Sequence, residues 1–318
     1  MIASIGGDDS YNHRYFRIAG INIRVESDLP IKDSTFAAKF KKFQITRPNS
    51  EPVRITHHFS LPGILPDELG QEIYRKAPWA IYRKGSSWIY LGIKPGRKTH
   101  SVYALAEFNE QHTLGQIYHE ESSIFSQGDL HSLTLFPTDQ IWLAPLLAAR
   151  KGFILHAAGM KIDGQGLLFA GHSEAGKSTT VTMLQDEGEI LCDDRIIVRR
   201  WPDGFRIHGT WSHGDVPHVS AAAAPLRAVL FLEKAKTNKL IAVSDQKEKL
   251  KYLLPLLIKP LVTADWWEKT LAVVEKLVCE VPAYRLQFDK SGKIKEIIRK
   301  LVTDNKNKNK SCRKIRLP

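Results

Sequence analysis

The chain has 318 residues, 43% of them hydrophobic and 25% charged, a globular composition that excludes a disordered polymer. Its 46 Lys and Arg against 34 Asp and Glu give a formal charge of +12, and its length suits one large domain or two modest ones. No apolar run reaches the roughly 18–20 residues of a membrane-spanning helix, and MIASIGGDDSYNHRYF lacks the basic-then-apolar order of an export signal. No membrane partner is therefore expected, and Cys192, Cys279 and Cys312, which form neither a disulfide framework nor a paired ligand set, suit a reducing, cytoplasmic interior.

The first stretch reads as strands. Tyr15–Ile18 is followed by Gly20 and by the alternating Ile21–Val25, a period that suits one buried face. Ala80–Tyr82 and Trp88–Leu91 flank Lys84-Gly85-Ser86 as a hairpin. Residues 1–130 are therefore expected to form a strand-rich accessory domain, open to a role in substrate recognition and carrying no evident chemistry. The segment 137–150 predicts a helix starting near Thr138 or Asp139, with Pro145 imposing a kink or a late start.

From Phe153 the pattern tightens. Phe153–Ala157 and the wholly apolar Gly166–Ala170 predict strands around a turn at Asp163-Gly164, and a helix is expected over Lys177–Asp186. Ile190–Cys192 and Ile196–Val198 predict further strands, and Pro202-Asp203-Gly204 a hairpin. A polar, histidine-rich loop through His208, His213 and His218 follows. Ala228–Leu232, Leu240–Val243 and Val281–Phe288 predict strands. Helices are expected over 247–257, 264–279 and 293–302, the second burying Trp267, Leu271, Val274 and Val278. Residues 131–303 are thus expected to form a second domain, the one in which the chemistry-bearing motifs below fall.

The basic excess is partly terminal. Residues 304–318, DNKNKNKSCRKIRLP, hold six basic residues and one acidic, predicting a basic flexible tail. A second cluster includes Lys39, Lys41 and Lys42. Neither cluster has the aromatic interleaving of a single-strand nucleic-acid track, so nucleic acid is not an expected partner.

The decisive segment is Gly171-His172-Ser173-Glu174-Ala175-Gly176-Lys177-Ser178-Thr179, which satisfies the spacing of a phosphate-binding loop. Its glycines let the backbone curl until several N–H groups face one anion, and the following helix adds its first donors. Lys177 is expected on the β- and γ-phosphates of a nucleotide, ATP by chemical prior, and Ser178 on a Mg2+ ion between them. Asp193 and Asp194 end the strand at Cys192. Alternation points adjacent carboxylates different ways, so one is expected at the metal and the other at an acceptor hydroxyl. His156, in the preceding strand, is placed to hydrogen-bond one of the two. His208, His213 and His218 lack companion cysteines, so no zinc site is expected. Arg206 and Arg227 are candidate phosphate contacts, with a structural role the alternative.

HAAGMKIDGQGLLFAGHSEAGKSTTVTMLQDEGEILCDD, residues 156–194, resembles the catalytic core of the HPr kinase/phosphorylase family. The resemblance rests on a histidine, a glycine-rich turn, the phosphate loop, a short helix and paired aspartates, and extends more weakly over residues 150–300. It implies an α/β fold (α+β being the alternative) in which a curved mixed sheet carries the loop, as in phosphoenolpyruvate carboxykinases. It also implies Asp193 as the base that activates an acceptor serine, oriented by His156, with Asp194 in the metal region and a homo-oligomer as partner. TWSHGDVPHVSAAAAP stands where the family has a later glycine-rich signature, so HPr itself and reverse phosphorolysis are not expected. The plan is more similar to stand-alone kinases of peptide biosynthesis, some of which phosphorylate a serine of a lasso-peptide precursor. The expected activity is ATP-dependent phosphorylation of a serine in a peptide or small protein. A small-molecule hydroxyl kinase and a nucleotide-responsive binding module without turnover are the alternatives.

Overall fold

The computed structural model describes residues 11–63, 65–94, 101–136, 139–262 and 264–312. These form two compact units: Met1–Ala149 with Lys259–Trp266, and Arg150–Ile258 with Trp267–Pro318.

The first unit is built on a nine-stranded mixed sheet. In chain order its strands are β1 (Tyr11–Ile18), β2 (Ile21–Ile31), β3 (Gln44–Ile45), β4 (Val53–His58), β5 (Gln71–Lys76), β6 (Trp79–Lys84), β7 (Ser87–Ile93), β8 (Val102–Phe108) and β9 (Leu114–His119). They lie in the order β3-β1-β2-β4-β9-β8-β7-β6-β5. β4 runs parallel to both neighbours, and the other pairs are antiparallel. The expected hairpin around Gly85 is present as β6–β7, and β1 and β2 also pair antiparallel. The basic cluster at Lys39, Lys41 and Lys42 lies on a 3-10 turn, Ala38–Phe43, whose Phe40 and Phe43 are buried. A short helix α1 (Ser123–Gln127) follows β9.

The expected helix after 137 opens as a π-helical turn, Asp139–Leu143, and becomes α-helical only at α2 (Ala144–Ala148), with Pro145 in its first turn. A proline there forfeits no intrahelical hydrogen bond, which explains the late start; residues 137 and 138 lie outside the described ones. The units divide at Ala149/Arg150 rather than at the expected 130/131. Trp142 is fully buried and its indole N–H donates to the His112 carbonyl at 3.1 Å, which ties this segment to the first unit.

In the second unit the strands are β10 (Gly152–Ile162), β11 (Gln165–Ala170), β12 (Glu189–Cys192), β13 (Arg195–Trp201), β14 (Gly204–His208), β15 (Ala223–Lys234), β16 (Lys239–Val243) and β17 (Ala283–Phe288). The helices are α3 (Lys177–Met183), α4 (Gln246–Leu253), α5 (Ala264–Glu280) and α6 (Ile294–Cys312). The first half of β10 pairs with β13, while its second half pairs with β11 on one side and β12 on the other. β15 likewise pairs with β14 early and with β11 and β17 later. The pairings β11-β10-β13-β14-β15-β11 therefore close on themselves, so the mixed sheet is curved. Closure needs small residues where strands crowd: a Cβ on Gly166 would lie 2.7 Å from Ile207 Cγ1. Phe169, Val181, Leu184, Leu230, Leu286, Ile294 and Ile298 share one buried cluster, which seats α3 and α6 against the sheet.

Three expectations need correction. α5 buries Thr270, Val273, Val274, Leu277 and Val278, and Trp267 and Leu271 are only partly covered. The inward stripe includes a threonine that an apolar pattern skips. His208 is not in the loop: it ends β14, buried, and accepts from the Trp201 indole N–H at 3.2 Å. The tail expected from 304 instead continues α6 as far as Cys312, because a helix already nucleated and packed extends at little cost. Residues 313–318 lie outside the described ones.

Candidate functional site

β11 and β12 both run antiparallel to β10 and flank it, so their C-terminal ends lie at one end of the sheet. β11 leads into Gly171–Gly176, and β12 leads into Asp193 and Asp194. A local register thus brings together two segments more than a dozen residues apart. They share one cavity of about 430 Å³, lined by Ser173, Glu174, Gly176, Lys177, Ser178, Thr179, His156, Asp193 and Asp194, with Gly214, Asp215 and Lys234.

The loop is tightly wound. Glu174 (φ 65°) and Gly176 (φ 98°) adopt left-handed backbone on either side of Ala175, whose N–H donates to the His172 carbonyl at 3.2 Å. Gly176 is required twice over, since its φ suits glycine and a Cβ there would lie 2.7 Å from the Phe288 ring. Lys177 is buried and donates from Nζ to the carbonyls of Gly171 (3.1 Å) and His172 (3.0 Å). Burial lowers its pKa, against the opposing charges of Asp194 and Asp193.

The two aspartates have opposite surroundings. Asp193 is 2% exposed and accepts three hydrogen bonds: from Ser178 Oγ (2.9 Å), the Gly214 N–H (2.6 Å) and the Val216 N–H (2.9 Å). Asp194 opens to the cavity. His156 Nε2 lies 3.3 Å from its Oδ1, and Arg195 Nε lies 3.4 Å from its Oδ2. The His156 hydrogen bond holds the Asp194 carboxyl below its usual range, and the Arg195, His156 and Lys177 charges add to this against desolvation.

Here the expected roles are corrected: His156 orients Asp194, not Asp193. The reason is register. His156 is the cross-strand partner of Arg195, and the Ala157 N–H donates to the Asp194 carbonyl at 3.0 Å. Alternation then sends Asp193 toward Ser178.

Other expected groups fall elsewhere. His213 and His218 are exposed in the loop 209–222, and no cluster of three metal-binding side chains occurs among the described residues. Arg206 pairs with Asp203. Neither Arg206 nor Arg227 lines the cavity. Sequence reading missed Arg195, Lys234 and the Gly214–Val216 backbone. The last works through N–H groups, which side-chain identity does not reveal, although Gly214-Asp215 marks a turn. Cys192, just before the pair, is buried, its thiol pushed up to about 12 by burial.

No helix among the described residues is long and apolar enough to cross a membrane. No curated protein matches the chain. Among solved structures, the Hpr(Ser) kinase/phosphatase from Coxiella burnetii aligns over 50% of this chain and 93% of its own, at 13% identity and a TM-score of 0.31. Residues 140–303 match the family described as SynChlorMet cassette protein ScmC, a span that holds every candidate residue above. The chain belongs to the ScmC family of SynChlorMet cassette proteins.

Proposed function

We propose that this protein is a Mg2+-dependent phosphotransferase that moves the γ-phosphate of ATP to a hydroxyl, most simply a serine of a peptide or small protein such as a lasso-peptide precursor. The observation that carries this reading is the pairing of Ser178 Oγ with Asp193 Oδ2 at 2.9 Å, beside an Asp194–His156 pair on the same cavity. The first pair is an oxygen site suited to a hard divalent ion; the second is a carboxylate held ready for a proton donor.

The residues present fit magnesium. Mg2+ is bound by one or two protein oxygens plus phosphate and water rather than by a protein cage. Asp193 has about four lone-pair positions, of which three are engaged by Ser178, Gly214 and Val216. One remains for the ion or its water. When bound, the ion would neutralise charge on the phosphates.

The chain's own groups supply the rest. Lys177 leaves the carbonyls of Gly171 and His172 for the phosphates, and the loop N–H groups cradle them. Asp194, fixed by His156 and Arg195, orients the acceptor hydroxyl and takes up its proton. Its lowered pKa makes it a weak base, so positioning and electrostatic stabilisation carry most of the rate.

The test is incubation with γ-labelled ATP and Mg2+ against separate panels of serine peptides and small hydroxyl metabolites, read by mass spectrometry. Phosphate gained by a peptide, and lost with Lys177→Ala and Asp194→Asn, is the expected result. Transfer only to a metabolite would replace the acceptor class. Tight nucleotide binding without transfer to any acceptor would make the protein a nucleotide-responsive binding module.

A further inference from the structure

The cavity holds an electrostatic imbalance. Its lining carries the carboxylates of Glu174, Asp193, Asp194 and Asp215 against the ammonium groups of Lys177 and Lys234. A polyphosphate entering such a site meets repulsion, which Lys177 and a bound cation would offset only in part; Lys234 is the other ammonium group on the lining.

Lys234 is built into the fold beside the loop. β15, which it ends, runs parallel to β11 with Phe231 opposite Ala170, so both chains leave the sheet together. A Cβ on Gly171 would lie 3.7 Å from Leu232 Cβ, which places the start of the loop against the end of β15. On the other side Lys234 is in register with Phe288, and the Ala235 N–H donates to the Phe288 carbonyl at 2.9 Å. The Phe288 ring is the group that packs against Gly176. The backbone that carries Lys234 is thus fixed by the same contacts that shape the loop.

Its neighbour Glu233 does not neutralise it. Alternation turns Glu233 away, where it meets Arg285 (3.7 Å) and the Gln287 amide (3.1 Å). Among the described residues no carboxylate lies within ion-pair distance of Lys234, which is exposed and lines the cavity.

Resting on the nucleotide reading above, we infer that Lys234 is a second phosphate-binding residue, contacting the terminal phosphate of a bound nucleoside triphosphate from the β15 flank of the loop. It would share with Lys177 the charge that the acidic cavity otherwise opposes.

The test is equilibrium binding of ATP and of ADP, each with Mg2+, to the full chain and to Lys234→Ala and Lys234→Arg, with thermal melting without nucleotide as a folding control. Lys234 is exposed, so both variants should melt as the parent does. Lys234→Ala should bind ATP about tenfold more weakly, a loss of about 1.4 kcal/mol, and lose less for ADP. Lys234→Arg should restore most of the affinity. Parental ATP affinity in Lys234→Ala, or equal losses for ATP and ADP, would overturn the assignment while leaving the nucleotide site intact. No binding by the parent protein would overturn the nucleotide reading and this inference with it.

Discussion

Asp193 and Asp194 are adjacent in sequence, yet their removal should damage different properties. In Asp193→Ala, the Ser178 hydroxyl and the Gly214 and Val216 N–H groups lose a common acceptor. A hydrogen bond to a charged group contributes about 1.5–3 kcal/mol. The three do not add in full, since Gly214 is exposed and its N–H can recover water. A net loss of about 2–4 kcal/mol is expected, concentrated on the loop 209–222. Asp194→Ala removes a 28% exposed side chain whose contacts are at 3.3 and 3.4 Å, worth under about 1 kcal/mol.

Hydrogen exchange separates the two. The Gly214 and Val216 amides should exchange roughly thirtyfold or more faster in Asp193→Ala, since each 1.4 kcal/mol is about tenfold. Asp194→Ala should leave both amides protected and yet fail to transfer phosphate. Unchanged protection in Asp193→Ala, or equal loss in both variants, would refute the division of labour between the two carboxylates.

His156→Ala should raise the Asp194 pKa, because the His156 hydrogen bond is the first cause of its depression; the acid limb of the rate profile should move to higher pH. Gly176→Ala should destabilise the loop by about 1–3 kcal/mol from left-handed strain alone. The Phe288 contact adds to this, so Phe288→Ala should relieve only part of the loss, measured by melting and nucleotide affinity. In the first unit, His57 Nε2 faces the Leu133 carbonyl, so its Nδ1 accepts from His119 Nε2 at 2.9 Å and both rings are neutral. Burial, with the His119 and His58 charges, pushes His57 down to about 3, and burial with the His58 charge pushes His119 down to about 4. These depressed values disfavour the protonated form in the folded state. Stability is therefore complete above pH 6.5, the unfolded value, and falls as the unfolded chain takes up protons below it. A drop to pH 5 should cost about 2–4 kcal/mol for the pair in denaturant titrations, and His57→Gln with His119→Gln should flatten that dependence.

Much of the second unit is legible from the chain because its signals are local. The apolar Gly166–Ala170, the Gly-Lys-Ser run and the glycines at 164 and 204 each constrain a few neighbouring dihedrals, and strands, loop and hairpin appear where those constraints place them. The unit boundary is different in kind. Whether 139–149 packs with what precedes or follows depends on Trp142 reaching the His112 carbonyl, a partner 30 positions away that no local pattern names. The inward face of α5 is misread for a related reason. Thr270 is buried because of where it stands on the helix, and its hydroxyl hides it from an apolar count.

The aspartate pair marks where sequence reading of the site gives out. Alternation establishes that the two carboxylates diverge, but their direction depends on the β10–β13 register, which sets His156 opposite Arg195 and thereby beside Asp194. That register is fixed by the pairing of Gly152–His156 with Arg195–Arg199, a property of two whole strands rather than of the motif. The donors that hold Asp193 are more hidden still, since two of the three are backbone N–H groups at positions 214 and 216. Any residue but proline could supply them. Held by three donors, Asp193 is poorly placed to receive an acceptor's proton, whereas Asp194, with cavity on one side and His156 and Arg195 on the other, is open to one. The same fold that gathers the pair therefore divides it, and the chemistry assigned to each follows from its hydrogen-bond partners.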